Sequence, residues 1–245
     1  MAASNNPRQP ALSPLPRGPH AISAEDIAAD QRRRLLEALP RAAAEHGFEG
    51  TTVEHIVKLA QVRRNSFYEQ FGDKHECFAE AYELAQERLL GVLTFHCYTR
   101  RGLADRVGAA LGGSLDLLGA DPVLAHLLVV EAPAAGDEMA ARHHQWLDRY
   151  GRMLRLAAVD CPGAGKPSPA LEPAVVGGIV SRVKELVLAG EARELPGLGP
   201  ELLGFTLSFY DPPEPPAGSP AVVHCRGAES AQPQSPERAS VLEPV

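Results

Sequence analysis

Arg63, Arg64, Asn65, Ser66 and Tyr68 form a polar run interrupted only by Phe67. Each of these side chains can hydrogen-bond a phosphate oxygen or a base edge. Arginine matches guanine O6 and N7, asparagine matches adenine N6 and N7, and a tyrosine hydroxyl reaches phosphate. Lys74 adds a cation further on, directly after Asp73, and the Asp73-x-x-Glu76 spacing describes a helix start whose amides and cation together make a phosphate clamp. The chemistry on offer is recognition. The chain shows no nucleophile–base constellation, phosphate loop or paired carboxylates, so an enzyme is not expected.

The elements that must position these residues are two short helices. Val53, Ile56, Val57 and Ala60 recur at three and four residues, the period of one buried helical face, and Phe67 and Phe71 repeat that spacing after a break at Gln61-Val62. This is the layout of a helix-turn-helix, with an exposed second helix whose composition suits a major groove. Thr51 and Glu54, three apart ahead of the apolar run, read as a capping box. Pro40 falls inside the preceding helix, Arg32–His46, where it removes a hydrogen bond and crowds the turn before it, so a kink or a break is expected.

The string resembles the amino-terminal DNA-binding domain of the TetR family of bacterial transcriptional regulators. The matching elements are Gly47-Phe48, Thr51-Thr52, Ala60-Gln61-Val62, Tyr68-Glu69-Gln70-Phe71 and Gly72-Asp73-Lys74, in that order, and the likeness covers roughly residues 31–90. The resemblance implies that Thr52 faces a phosphate and that Gln70, in place of the family's histidine, still donates a hydrogen bond. Thr52, Arg63, Arg64, Asn65, Ser66, Tyr68, Gln70 and Lys74 are therefore the candidate DNA-binding residues. Three departures stand out. Gln61 replaces the turn glycine and is strained by about 1–2 kcal/mol if the backbone there needs positive φ. Arg63 replaces the small polar residue that caps the second helix, a loss of about 0.5–2 kcal/mol set against a phosphate contact. Glu54 stands where the family is often basic, so capping or acceptance from cytosine N4 are its two readings.

Composition bounds the rest. A formal net charge of −7 over 245 residues argues against a protein that coats nucleic acid irrespective of sequence. A local basic face is required instead, and Arg32, Arg33, Arg34, Arg63, Arg64 and Lys74 supply it. Cys77, Cys97, Cys161 and Cys225 are widely spaced, which implies neither a disulfide framework nor a zinc knuckle. No signal peptide and no run approaching the ~20 apolar residues of a membrane span are present, so a cytoplasmic protein is expected.

Residues 1–23 are proline-rich and read as a disordered arm, 24–74 as the helix-turn-helix domain, 75–210 as a helical domain and 211–245 as a disordered Pro-rich tail. The long segment 74–97 is followed by an apolar face through Leu103, Val107, Ala110, Leu111, Ser114, Leu115 and Leu118. A helix started by Asp121-Pro122 comes next, then an amphipathic stretch over 137–159 that ends at the loop DCPGAGKPSP. A helix from Leu171 to Ala189, capped by Gly190, and a last one near 200–210 complete the chain. No alternating strand pattern of useful length appears, which predicts an all-α fold.

His126, His143, Trp146, Tyr150 and Met153 can line a ligand pocket, although core packing explains the aromatics equally well. His143 and His144 are sequence neighbours and point apart on a helix, so no metal and no cofactor are assigned. The resemblance implies a helical ligand-binding and dimerisation domain, with the last two helices pairing across a homodimer; Gly177 and Gly178 beside a valine stripe allow such close approach. It implies a repressor that binds a palindromic double-stranded operator and releases it when a small-molecule effector binds. The alternative is an interaction module on this scaffold that has lost operator binding, given Glu54, Glu69 and Gln61 in the reading head.

Overall fold

The computed structural model describes residues 23–159, 161 and 171–210. The amino-terminal arm up to residue 22, the tail from residue 211 and the loop after residue 159, except Cys161, lie outside the described residues. Among the described residues there is no strand, and the helices follow the order expected from the apolar periodicity.

α1 (Ala24–Gly50) begins earlier than the sequence spacing indicates, because Ser23 is its cap. The Ser23 hydroxyl oxygen accepts from the Asp26 amide at 3.0 Å and the Asp26 carboxylate accepts back from the Ser23 amide at 3.3 Å. The expected break at Pro40 does not occur: the non-helical backbone inside α1 is at Gly47, with φ 68° and ψ 157°. Leu35, Ala38, Leu39, Ala42 and Ala43 are buried on either side of Pro40, and that packing holds the helix through the missing hydrogen bond. Gly47 turns the chain because glycine alone tolerates that φ without a Cβ clash.

α2 (Val53–Ala60) and α3 (Arg64–Gln70) form the predicted helix-turn-helix. The capping box lies one residue later than Thr51–Glu54. Thr52 is the cap, its hydroxyl oxygen accepting from the His55 amide at 3.3 Å while the Thr52 amide donates to His55 Nδ1 at 3.4 Å. Thr51 is instead buried, its hydroxyl donating to the Gly47 carbonyl at 2.7 Å. Glu54, left without a capping role, is exposed. Gln61 ends α2 in the left-handed region at φ 54°, ψ 44°, and is the positive-φ non-glycine residue among those described. The Arg34 guanidinium pins this turn by donating to the carbonyls of Ala60 and Gln61 at 3.2 and 3.3 Å.

α4 (Lys74–Tyr98) leads from the head into the body. α5 (Leu103–Ala120) packs along it, burying the apolar face read from the sequence. α6 (Pro122–His126), capped by Asp121 through the Leu124 amide, runs into a π-turn over Leu127–Glu131 and the single turn α7 (Ala132–Ala134). α8 (Asp137–Val159) and α9 (Leu171–Leu188) follow, α9 ending at the left-handed Gly190. A 3-10 turn over Ala192–Leu198 and α10 (Gly199–Leu207) close the fold. One apolar core runs from Leu35 and Phe67 in the head to Leu195 and Leu202 in the body.

Replacing Gln61 by glycine relieves the left-handed strain while adding chain entropy to the unfolded state. The expected result is a net stabilisation of about 0.5–1 kcal/mol, read as a higher urea midpoint at unchanged slope. An unchanged or lower midpoint contradicts strain at this turn.

Candidate nucleic-acid interface

α3 hangs from the core by Phe67, fully buried, while Phe71 after its end is 2 % exposed. That anchoring turns the opposite face outward. Arg63, Arg64, Asn65 and Tyr68 are exposed, and Ser66 and Gln70 are half-buried at the margin. Arg63 caps α3 with no side-chain hydrogen bond, so its guanidinium is not spent on the helix start. The Tyr68 hydroxyl, hydrogen-bonded to Arg64, raises that guanidinium's pKa, and the Arg64 charge lies 5.8 Å from the Tyr68 ring centre. Thr52 is exposed at the start of α2; its oxygen caps the helix, which leaves the hydroxyl proton to donate outward. The carboxamide oxygen of Gln70 faces Arg32 at 3.4 Å, so its amide nitrogen is the outward donor.

The basic face is narrower than the sequence implies, because several of its members hold the head together. Arg32 donates to the Gln70 carbonyl at 2.8 Å, pairs with Glu80 and lies 4.3 Å above the Phe71 ring. Arg33 pairs with Asp30 and Glu37 along α1, and Arg34 grips the Gln61 turn. Lys74 is the clearest correction. Its ammonium donates to the carbonyls of Phe48, Glu49 and Thr51 at 3.0, 3.1 and 3.1 Å and sits 4.6 Å from the Phe48 ring. An ammonium has three protons, and all are committed, so Lys74 clamps the end of α1 and not a phosphate. The second capping box is likewise altered. Asp73 accepts from the amides of His75 and Glu76, but Glu76 reaches one residue further back, to the Gly72 amide at 2.6 Å.

In the body a cavity of about 160 Å³ lies between α4, α5, α8, α9 and the π-turn. Leu89, Leu111, Leu128, Val129, Val180 and Val183 are among its walls, and its hydroxyls are spent internally: Ser114 donates to the Ala110 carbonyl and Thr206 to that of Leu202, each at 2.7 Å. Of the pocket residues picked from the sequence, Tyr150 and Met153 line this cavity, whereas His126, His143 and Trp146 do not. Trp146 instead donates to Glu83 at 3.2 Å, and His126 Nδ1 stands 3.5 Å from the buried carboxylate of Glu131. His143 closes a hydrogen-bonded chain that starts at the cavity wall. The Tyr150 hydroxyl donates to Gln86, the Gln86 amide donates to Tyr82 at 2.5 Å, and the Tyr82 hydroxyl meets His143 Nδ1 at 3.1 Å. Burial pushes both phenols well above their ordinary pKa and, with His144 and Lys184 nearby, pushes His143 below its ordinary value. A neutral imidazole accepting from Tyr82 fits that direction.

Sequence reasoning missed Tyr82, Gln86 and Glu131. Tyr82 and Gln86 carry the helical spacing of core residues and nothing more. Glu131 is signalled only by an acid inside the apolar run Leu127–Ala132.

A helix-turn-helix head carried by an all-helical body with an internal cavity defines a helix-turn-helix regulator. The model of the tetR family of bacterial regulatory proteins matches residues 35–81, the segment that carries the helix-turn-helix head. Over 58 residues it is 34% identical to the HTH-type transcriptional repressor AcnR of Corynebacterium glutamicum, a segment that covers 24% of this chain and 31% of that repressor. It is 29% identical over 82 residues to the uncharacterized HTH-type transcriptional regulator YhgD of Bacillus subtilis, covering 30% of this chain and 43% of that one. The chain thus matches less than half the length of either relative. The whole fold resembles that of the transcriptional regulator FadR from Bacillus subtilis, solved in complex with stearoyl-CoA. The TM-score is 0.64 and the identity 16%, over 72% of this chain and 97% of that one.

His143 generates a pH prediction. Its folded pKa lies below the ordinary 6.5, so the unfolded chain takes up a proton first as pH falls. Stability is complete above that value and declines through it toward the lower folded pKa. The His143→Asn variant is expected to lose less stability than the native protein between about pH 7.5 and pH 5.5. Equal losses contradict a neutral His143 in the buried chain.

Proposed function

We propose that this protein is a transcriptional repressor that binds a palindromic operator as a homodimer and releases it when an apolar effector fills the body cavity. The observation that carries the reading is the division of labour on α3: Phe67 is sunk in the core while Arg64 and Asn65 project from the exposed face. A helix so presented can enter a major groove, with Arg64 and Asn65 at base edges and Thr52, Arg63, Ser66, Tyr68 and Gln70 on phosphates or groove margins.

The homodimer reading rests on α9 and α10. Gly178 is already filled within the chain, since a Cβ there meets the Phe205 ring at 2.9 Å. Gly177 faces open space, and Ser181, Leu188 and Phe205 are exposed around it, which leaves a surface for a second copy. A two-fold dimer sets two α3 helices about one DNA turn apart, roughly 34–36 Å, and requires a palindromic site. The effector reading rests on the apolar cavity and on the acyl-CoA held by a protein of the same fold. Among the described residues no single helix is long and apolar enough to cross a membrane, and we assign the protein to the cytoplasm with its DNA. Repression is favoured by the name of the AcnR relative.

The test is selection of binders from a random duplex library by the purified full chain. The expected product is a palindromic motif bound by two subunits. Arg64→Ala and Asn65→Ala are each expected to cost about 1–3 kcal/mol and to relax specificity at one position per half-site. Arg63→Ala is expected to weaken binding to all sequences alike and to flatten the salt dependence by about one phosphate contact per subunit. No enrichment, with weak binding to every duplex, sinks the repressor reading in favour of a protein-interaction module.

A further inference from the structure

Phe48 and Glu131 lie 83 residues apart in sequence, and the Phe48 amide donates to the Glu131 carboxylate at 2.7 Å. The residue is 8% exposed, and burying a carboxylate is costly unless its oxygens are hydrogen-bonded or paired. One oxygen holds the Phe48 amide and the other stands 3.5 Å from His126 Nδ1. An apolar side chain would pack into this site at lower cost, so the carboxylate's contribution is the bond itself.

The two ends of that bond belong to different parts of the machine. Phe48 lies in the segment between the left-handed Gly47 and the α2 cap Thr52, the segment whose carbonyls Lys74 grips. Glu131 ends the π-turn Leu127–Glu131, and Leu128 and Val129 of the same turn are cavity wall. One turn of backbone therefore touches the cavity on one side and holds the root of α2 on the other. Single π-turns are frequent at functional sites, and this one packs against α9, which also lines the cavity through Ile179 and Val180.

We infer that Glu131 is the positioning residue that couples the cavity to the reading head: whatever fills the cavity displaces Leu128 and Val129, draws Glu131 off the Phe48 amide and releases the set of α2 and α3. The inference rests on the reading of the head as a DNA reader and of the cavity as the effector site. A competing route exists, because α4 also lines the cavity through Leu89 and Leu93 and starts at the head. The two routes differ in whether coupling survives loss of the Glu131 carboxylate.

A wedge stands in for the unidentified effector. Ile179→Trp fills the cavity from α9, the helix packed against the π-turn, and is combined with Glu131→Met, which keeps the side-chain length but cannot accept, and with Glu131→Gln, which can. Affinity for the duplex selected by the native protein and exchange of the Phe48 amide are both measured. The wedge is expected to weaken operator binding about tenfold and to speed Phe48 exchange when Glu131 is present. It is expected to change both less than about twofold in the Glu131→Met background, with coupling restored by Glu131→Gln. Equal effects of the wedge in both backgrounds, or no effect when Glu131 is present, overturn the inference. If no duplex is bound at all, the DNA-reading proposal has failed. Phe48 exchange, read across the same pair of backgrounds, then decides the coupling by itself, and Glu131→Leu serves as the non-accepting background should Glu131→Met not fold.

Discussion

Three carbonyls at the end of α1, those of Phe48, Glu49 and Thr51, converge on the ammonium of Lys74. The chain must leave α1 through the left-handed Gly47 to reach α2, and that exit gathers these carbonyls at the start of α4. The Phe48 carbonyl also accepts from the Thr51 amide at 3.1 Å and the Glu49 bond is exposed, so the ammonium ties the turn together and is not its sole source of donors. Lys74 is also the first residue of α4. The same three bonds therefore close α1 onto α4 and fix the space in which α2 and α3 must fit. Phe48 packs at 4.4 Å from Phe78 beneath this clamp, and Phe67 and Phe71 complete the floor on which α3 rests.

The clamp explains why so little of the basic composition faces outward. Lys74, Arg34 and Arg32 donate to carbonyls at the three turns of the head, α1–α2, α2–α3 and α3–α4, and their charges are used there. Recognition is left to α3 and the start of α2, where Arg63, Arg64, Asn65 and Tyr68 have no such duty to the fold. On the proposed function, the acidic balance of the chain limits contact with DNA to this small face, which favours sequence reading over general adhesion.

The apolar periodicity made the fold legible. Val53, Ile56, Val57 and Ala60 bury as their spacing requires, and the helix over 137–159 and the cap at Gly190 stand where composition places them. Helix starts were less legible, because Thr51 rivals Thr52 as a cap and Ser23 lies well ahead of Leu35, the first buried position of α1. The site divided along the same line. α3's exposed residues could be named from pattern, since a buried Phe67 fixes the opposite face. The fates of Lys74, His143 and Trp146 could not, because each is decided by a partner far away in sequence, respectively the end of α1, Tyr82 and Glu83. The Glu131 bond to Phe48 belongs to this second kind.

The account stands or falls on which residues of the head touch DNA and which hold the head together. A crystal structure of the full chain on its selected duplex tests this directly. The account predicts α3 in the major groove, Arg64 and Asn65 within hydrogen-bonding distance of base edges, and Lys74 still on the carbonyls of Phe48, Glu49 and Thr51. A structure in which α3 points away from the duplex, or in which Lys74 has swung out to a phosphate, contradicts it.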